Sequence, residues 1–471
     1  MAQFVQPWRG EPDTVGTVAV VGMGKIGLPL AAQYAEAGWR VVWVDIQPQV
    51  VETLNRGRVH VEEEPGLAEK IAAAHAAGRF RATTSHAEAV RGADVTVVIV
   101  PVMLTDEREP DYRFIDPATE AVAAGLQPGA LVIFETTLPV GDTRNRLAPA
   151  LERGSDLRVG DPTAGILVAF SPECVFSGRI FRDLASYPKL VGGLDPASGE
   201  RAAAFYRSVL PAEVWLLSSA EAAEFAKLAE TTYRDVNIAL ANEFARYAER
   251  VGVDVHEVIR GANSQPFSHI HQPGIGVGGH CIPVYPHFLI SRAPELEIPA
   301  LSRSVNDGQV GLAVQAVQRE LGSLEQTPVL VLGLTYREDV KELAYSRAIP
   351  LIERLRFHGA DVWAYDPLLS DEEVERLGAR PYRWGATSPA RAIVLQTGAR
   401  RFRDLNTLLF PDLHVVYDGR NVLRDVALPE HVRYVGVGVP DERGGPPAGN
   451  GHASPGAAGR RATLAGRAGG R

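Results

Sequence analysis

The sequence predicts an α/β protein: two doubly wound parallel-sheet domains joined by a long central helix and a helical middle region. Three observations carry this expectation. Apolar strand-like runs alternate with helical stretches in both halves of the 471-residue chain, the grammar of parallel sheets. A helical pattern from Ser218 to about Gly252 separates the two halves. The strand–helix–strand–Asp order of 17–45 then returns at 328–366. The expected partition is an N-terminal extension over 1–14, a first domain over 15–208 and a helical, subunit-pairing middle over 209–315. A second domain follows over 316–440, and then a disordered tail over 441–471, dominated by Gly, Ala, Pro and Arg.

Composition narrows the function classes. A net charge of −9 argues against non-specific nucleic-acid binding. Two cysteines cannot build a disulfide framework, which fits a reducing cytoplasm. No secretory h-region and no membrane-spanning apolar run is visible, so a cytoplasmic protein with no membrane or nucleic-acid partner is expected, and no metal.

The first half opens with the strand Thr17–Val21, followed by Gly22-Met23-Gly24-Lys25-Ile26-Gly27 and a helical stretch. In this context G-x-G-x-x-G reads as a dinucleotide turn. Gly22 makes the turn, Gly24 lets a pyrophosphate approach the backbone, and Gly27 lets helix and strand pack closely. A second strand, Arg40–Val44, ends at Asp45, whose carboxylate suits a ribose 2′-OH and repels a 2′-phosphate. NAD is therefore the expected cofactor of a Rossmann-like domain. Further strands are expected at Val95–Val100, ending at Pro101, and at Leu131–Phe134, leading to Thr137. Val100, Pro101 and Thr137 should border the nicotinamide, because ligands sit outside the carboxyl ends of such strands. After the strand Leu167–Phe170, Glu173 is a candidate general base.

On the long helix, Ser218 and Glu221 form an expected capping box, and Val236, Leu240, Phe244 and Tyr247 make an apolar stripe. Its length suggests a connector and a subunit interface, hence a homodimer or higher oligomer. Lys227 and Thr231 share one face at i and i+4. Next comes Gly274-Ile275-Gly276-Val277-Gly278-Gly279-His280-Cys281, a glycine-dense loop that can wrap a ligand and present a cysteine nucleophile. The second half repeats the sheet grammar at 328–334 and 360–366 without the glycine fingerprint, so it should bind something other than a dinucleotide. Its remaining strands are expected at 392–395, 414–417 and 432–435, with Arg420 at a strand end as an anion contact.

These residues resemble the UDP-glucose/GDP-mannose dehydrogenase family over roughly Val15 to Val439. The resemblance rests on Val21–Leu30, Glu64-Pro65-Gly66-Leu67, Ser171-Pro172-Glu173, Pro188-Lys189-Leu190-Val191-Gly192-Gly193, Gly276–Cys281 and Leu332–Arg337. Within the family, 233–243 looks most like enzymes acting on UDP-N-acetylmannosamine, then UDP-N-acetylglucosamine; UDP-glucose or a non-catalytic relative are the alternatives. The resemblance implies oxidation of a sugar C6 alcohol to a carboxylate with two NAD. Lys227 with an ordered water would serve the alcohol, and Cys281 would hold the aldehyde as a thiohemiacetal and then a thioester. Glu173, through water bridged to Thr137, would drive hydrolysis. It also implies cofactor contacts along Gly22, Met23, Gly24, Lys25, Ile26 and Gly27. The UDP-sugar would meet Glu173, Lys227, Arg234, Asn237, Gly278, Tyr336, Arg337 and Arg420. This chain departs from the pattern at Thr231 (family Asn), Tyr285 (family Asp) and Ala344 (family Arg); Tyr285 is expected to orient rather than transfer protons.

Overall fold

The computed structural model describes residues 16–22, 24–61 and 64–440. The expected extension over 1–14, the tail over 441–471 and Met23 lie outside them. Ten strands come first: β1 Thr17–Val21, β2 Arg40–Val44, β3 Phe80–Thr83, β4 Val95–Val98, the short pair β5 Met103–Leu104 and β6 Pro110–Asp111, β7 Leu131–Phe134, β8 Leu167–Phe170, β9 Lys189–Gly193 and β10 Val214–Leu216. Eight of them form one sheet, in the order β10-β9-β8-β7-β4-β1-β2-β3. Every neighbouring pair is parallel except β8 and β9. Strands such as Val-Ala-Val-Val in β1 and Leu-Val-Ile-Phe in β7 are apolar on both faces because helices cover both.

A second sheet runs β13-β12-β11-β14-β15-β16, all parallel. Its members are β11 Pro328–Leu332, β12 Asp361–Tyr365, β13 Arg380–Pro381, β14 Ala392–Leu395, β15 Val415–Asp418 and β16 Arg433–Gly436. Two further apolar clusters cover its faces. In both sheets the chain reverses direction of winding beside the first strand, between β1 and β4 and between β11 and β14. The sheets are joined by the 32-residue helix Ala220–Val251, which packs along the helix Glu297–Leu321.

Several boundaries differ from expectation. β4 stops at Val98, so Val100 and Pro101 lie in the loop beyond it, and β11 stops at Leu332, before the left-handed Gly333. The long helix is capped by Ser219, whose hydroxyl accepts from Ala222 N, so the Ser218/Glu221 box is not formed. Glu221 instead pairs with Arg144. A cap needs extended backbone at the first residue, and Ser219 has it.

Candidate active site

The glycine loop is tied to both halves of the molecule. Asn242, on the long helix, accepts from Gly274 N at 2.9 Å, and Asn306 of the neighbouring helix donates to Asp235 beneath it. Farther along, Gly279 N donates to Ala344 O of the second domain at 3.1 Å. Gly279 has φ +92 and lies flat against the Tyr336 ring, 3.1 Å from where a Cβ would stand. Cys281 then enters a tight turn, its carbonyl accepting from Val284 N and Tyr285 N at 3.1 and 2.9 Å. Val284, Tyr285 and Phe288 pack into the core of the first domain. The cysteine is thus presented in the cleft between the two sheets, half-buried and reduced.

Around it the structure gathers side chains far apart in sequence. Tyr285 is brought close to both Thr137 and Cys281. Burial lifts its hydroxyl well above the usual phenol range, with the charge of Cys281 acting the same way and Lys227 opposing. Lys227 is 5% exposed, with its ammonium 3.7 Å from Cys174 Sγ. Burial works against its charge, but the acidic neighbourhood of Cys174 and Cys281 shifts it upward overall, so the lysine is protonated. Cys174 is a neighbour the sequence reading set aside. Burial pushes its thiol up, with Lys227 opposing, so it remains protonated. Glu173 accepts from Cys174 N and from Lys189 Nζ, both at 2.8 Å. Thr231 is fully buried and its hydroxyl bonds back to Lys227 O and Leu228 O, which leaves only its lone pairs for the site.

The turn after β1 has the features of a dinucleotide cradle. Gly22 (φ +102) donates its N–H to Val44 O. A Cβ on Gly24 would meet nothing within 4 Å, whereas one on Gly27 would overlap the Gly22 carbonyl. Helix Gly27–Glu36 starts at Ile26 with no side-chain cap, so its first N–H groups remain for a phosphate. Asp45 stands half-buried at the end of β2, and Val100 O receives the Thr136 hydroxyl on the opposite wall. Lys25 reaches across to the second domain, donating to Lys341 O at 3.0 Å and lying 3.5 Å from Glu342. Glu342 also meets His280 at 3.4 Å, and that hydrogen bond, with the charges of His280 and Lys25, draws its carboxyl down to about 2.

On the other side of the cleft, Phe176 is ringed by guanidinium groups: Arg179 at 4.6 Å, Arg234 at 5.6 Å and Arg337 at 5.8 Å. Arg337 also donates to Ser177 O at 2.6 Å, while its Nε is buried without a partner. Gly278 lies against Tyr336, and Arg420 rests against Gly274 while donating to Gln396 O. Asn237 uses both ends of its amide on the chain at 269–271, accepting from His271 N and donating to His269 O at 2.8 Å each. Sequence reasoning missed Lys189, Cys174, Phe176 and Glu342. The first three lie in or next to the Ser171-Pro172-Glu173 and Pro188–Gly193 motifs, the one signal that could have pointed to them.

Two sheets of the same winding, one parallel and one parallel but for the β8–β9 pair, an open glycine turn and a cysteine in the intervening cleft define an NAD-dependent dehydrogenase. Family models match in three consecutive blocks: the NAD-binding domain over 16–210, the central domain over 221–307 and the UDP-binding domain over 330–425. The chain belongs to the UDP-glucose/GDP-mannose dehydrogenase family. It is 34% identical to the UDP-N-acetyl-D-mannosamine dehydrogenase of Pyrococcus horikoshii over 431 residues, covering 89% of this chain and 99% of that one. Identity is also 34% to the NDP-N-acetyl-D-galactosaminuronic acid dehydrogenase of Ralstonia solanacearum, over 83% of this chain and 92% of that one. The solved UDP-glucose dehydrogenase of Pyrobaculum islandicum superposes with a TM-score of 0.80 at 26% identity, covering 92% and 100% of the two chains. No helix among the described residues is long and apolar enough to cross a membrane.

Proposed function

We propose that the protein oxidises the C6 alcohol of a UDP-N-acetylhexosamine to the uronate, with UDP-N-acetylmannosamine the favoured sugar. The observation that carries this is the convergence of Cys281, Tyr285, Thr137, Lys227 and Glu173 on one cleft between an open dinucleotide turn and an arginine cluster. NAD, held on Gly22–Gly27 and Asp45, supplies the hydride acceptor for both oxidations. The ammonium of Lys227 stabilises negative charge on the C6 oxygen, and the hydroxyl proton leaves through water because the lysine is already protonated. The Cys281 sulfur adds to the aldehyde carbon and retains it, first as thiohemiacetal and then as thioester. Tyr285, a neutral phenol, donates to the sulfur or to the C6 oxygen. Glu173 takes a proton from the water that cleaves the thioester. Tyr336, Arg337, Arg234 and Arg420 receive the UDP, the arginines matching a diphosphate. Support for the N-acetylhexosamine comes from the higher identity to relatives named for such sugars.

The test is a panel of UDP-sugars with NAD, followed by NADH absorbance and by recovery of the acid. Cys281→Ala should form no acid yet still bind nucleotide, whereas Cys174→Ala should keep its turnover. A fully active Cys281→Ala enzyme removes the covalent route. UDP-sugar binding with no NADH from any of the panel would make the protein a non-catalytic relative. The same reading includes a cytoplasmic homodimer formed along the long helix, where Leu240, Phe244 and Tyr247 are 44%, 37% and 63% exposed. Light scattering of Leu240→Glu/Phe244→Glu should then report a monomer.

A further inference from the structure

The first sheet reverses direction at β9, which runs antiparallel to β8, pairing Ala169 with Gly193 and Phe170 with Gly192, and carries β10 parallel to itself. Extending that register past the end of β8 brings Glu173 opposite Lys189, the first residue of β9. A parallel β9 would have carried Lys189 to the far edge of the sheet, ~13 Å away at about 3.3 Å per residue. The reversal therefore sets a lysine at the carboxyl ends of β7 and β8, where Glu135 and Glu173 emerge.

Lys189 is 4% exposed, and its ammonium lies 2.8 Å from Glu173 Oε2 and 3.2 Å from Glu135 Oε1. Glu135 is more deeply buried still. Its Oε1 also accepts from the hydroxyls of Tyr34 and Tyr206, and its Oε2 has no partner. One ammonium thus serves two carboxylates, and the outer one is the candidate base. An unpaired buried charge costs several kcal/mol, so this cluster would not persist behind the cleft without each member holding the others. Burial works against the charge on Lys189, yet the two carboxylates hold it protonated, at about 12. The remaining groups facing Glu173 are Cys174, whose N–H binds its other oxygen, and Lys227, which borders Cys174.

We infer that Lys189, backed by Glu135, is the positioning residue that aims the Glu173 carboxylate at the water cleaving the Cys281 thioester. Each Glu173 oxygen has one donor from the protein, the Lys189 ammonium or the Cys174 amide, so the carboxylate has a fixed orientation and keeps lone pairs for that water. The inference rests on the covalent reading above, and it predicts opposite effects from the two supporting residues. Without the ammonium, Glu173 faces Glu135 uncompensated and becomes harder to ionise. Without the Glu135 charge, the whole ammonium acts on Glu173, which becomes easier to ionise.

The experiment measures acid formation against pH for the full-length enzyme, with acid-quench mass spectrometry of Cys281. Lys189→Met should lower kcat about ten- to hundred-fold with little change in KM. The acid limb of its profile should move to higher pH, and the sugar adduct on Cys281 should accumulate. Glu135→Gln should move the acid limb to lower pH, and Lys189→Arg should recover part of the lost rate. Should Lys189→Met fail to fold, the charge-balanced Lys189→Met/Glu135→Gln pair is used, and it should accumulate adduct as well. Unshifted acid limbs in the single variants, with adduct at the wild-type level, overturn the inference; in the pair, wild-type adduct alone does. Absence of any adduct in wild type and variants overturns the covalent reading instead, and the direction of the two shifts still judges Lys189.

Discussion

The two glycine turns that follow β1 and β11 are built alike and used differently. Gly22 and Gly333 both have positive φ, +102 and +81, and each donates its N–H to the last residue of the adjacent strand, Val44 O at 3.2 Å and Tyr365 O at 2.9 Å. Each adjacent strand is followed by an aspartate, Asp45 or Asp366. Asp45 is half-buried and turns outward, accepting from Gln47 N. Asp366 is 3% exposed and folds over its own turn, accepting from Leu334 N at 2.7 Å, Thr335 N at 3.1 Å and the Thr335 hydroxyl at 3.3 Å. The second turn therefore carries a built-in anion where the first leaves its helix N-terminus uncapped for a ligand's phosphate. Its helix also starts late, at Ala348, and the chain between supplies Tyr336, Arg337 and Glu342 to the cleft. An anion site, then, is made as much by which amides a protein leaves unpaired as by the glycines that expose them.

The comparison can be broken most severely at Gly27. Gly27→Val pushes a side chain into the Gly22 carbonyl, so NAD binding measured by calorimetry should be lost. The second turn should respond in stability instead. Asp366→Ala leaves the Leu334 and Thr335 amides without their acceptor, at about 1–3 kcal/mol each, and should cost about 2–6 kcal/mol in denaturant unfolding, while the Thr335 hydroxyl keeps Arg337 O. Its KM for NAD should stay within about twofold of wild type, since in this reading the second turn holds no dinucleotide. A lower stability cost than this would mean the carboxylate is replaceable by water.

Between the two turns lies Tyr285, on the loop stitched to both halves. Tyr285→Phe removes one hydrogen bond to a charged group, about 1.5–3 kcal/mol, and should slow acid formation about ten- to hundred-fold without abolishing it. Complete loss would assign the phenol a proton-transfer role. The smallest effect is expected at Asp45. Asp45→Ser should raise the NADP-to-NAD ratio of kcat/KM about tenfold while leaving the melting temperature unchanged, the reverse of the Asp366 result. Wild-type enzyme that used both cofactors equally would undo the contrast from the other side.

Much of the architecture was legible from short-range pattern. β1, β2, β7, β8, β12 and β14 fall where the apolar runs end against Gly, Pro or polar residues, because a strand buried on both faces must be apolar throughout. The Gly22–Gly27 turn is local stereochemistry, which neighbouring residues alone specify. Cys281 and Lys227 stood out by chemistry. The roles of other predicted residues were not legible. Asn237 braces the chain at 269–271, Thr231 bonds back into its helix, and Lys25 reaches the second domain, each through contacts that spacing does not encode. The chain has five lysines, at 25, 70, 189, 227 and 341, and three of them, Lys25, Lys189 and Lys227, reach the cleft region. Composition alone offered no sign of that.

By itself the sequence determined the α/β class, the two-half plan, the family and the dinucleotide turn, since each depends on residues within a few positions of one another. The tertiary structure alone decided which aspartate is spent on its own backbone and which lysine stands behind Glu173. Those outcomes turn on a strand entering antiparallel and on partners 16 to 316 residues apart. A hydrogen bond or ion pair senses only distance and direction, and for groups so far apart along the chain these exist only once the sheets have formed.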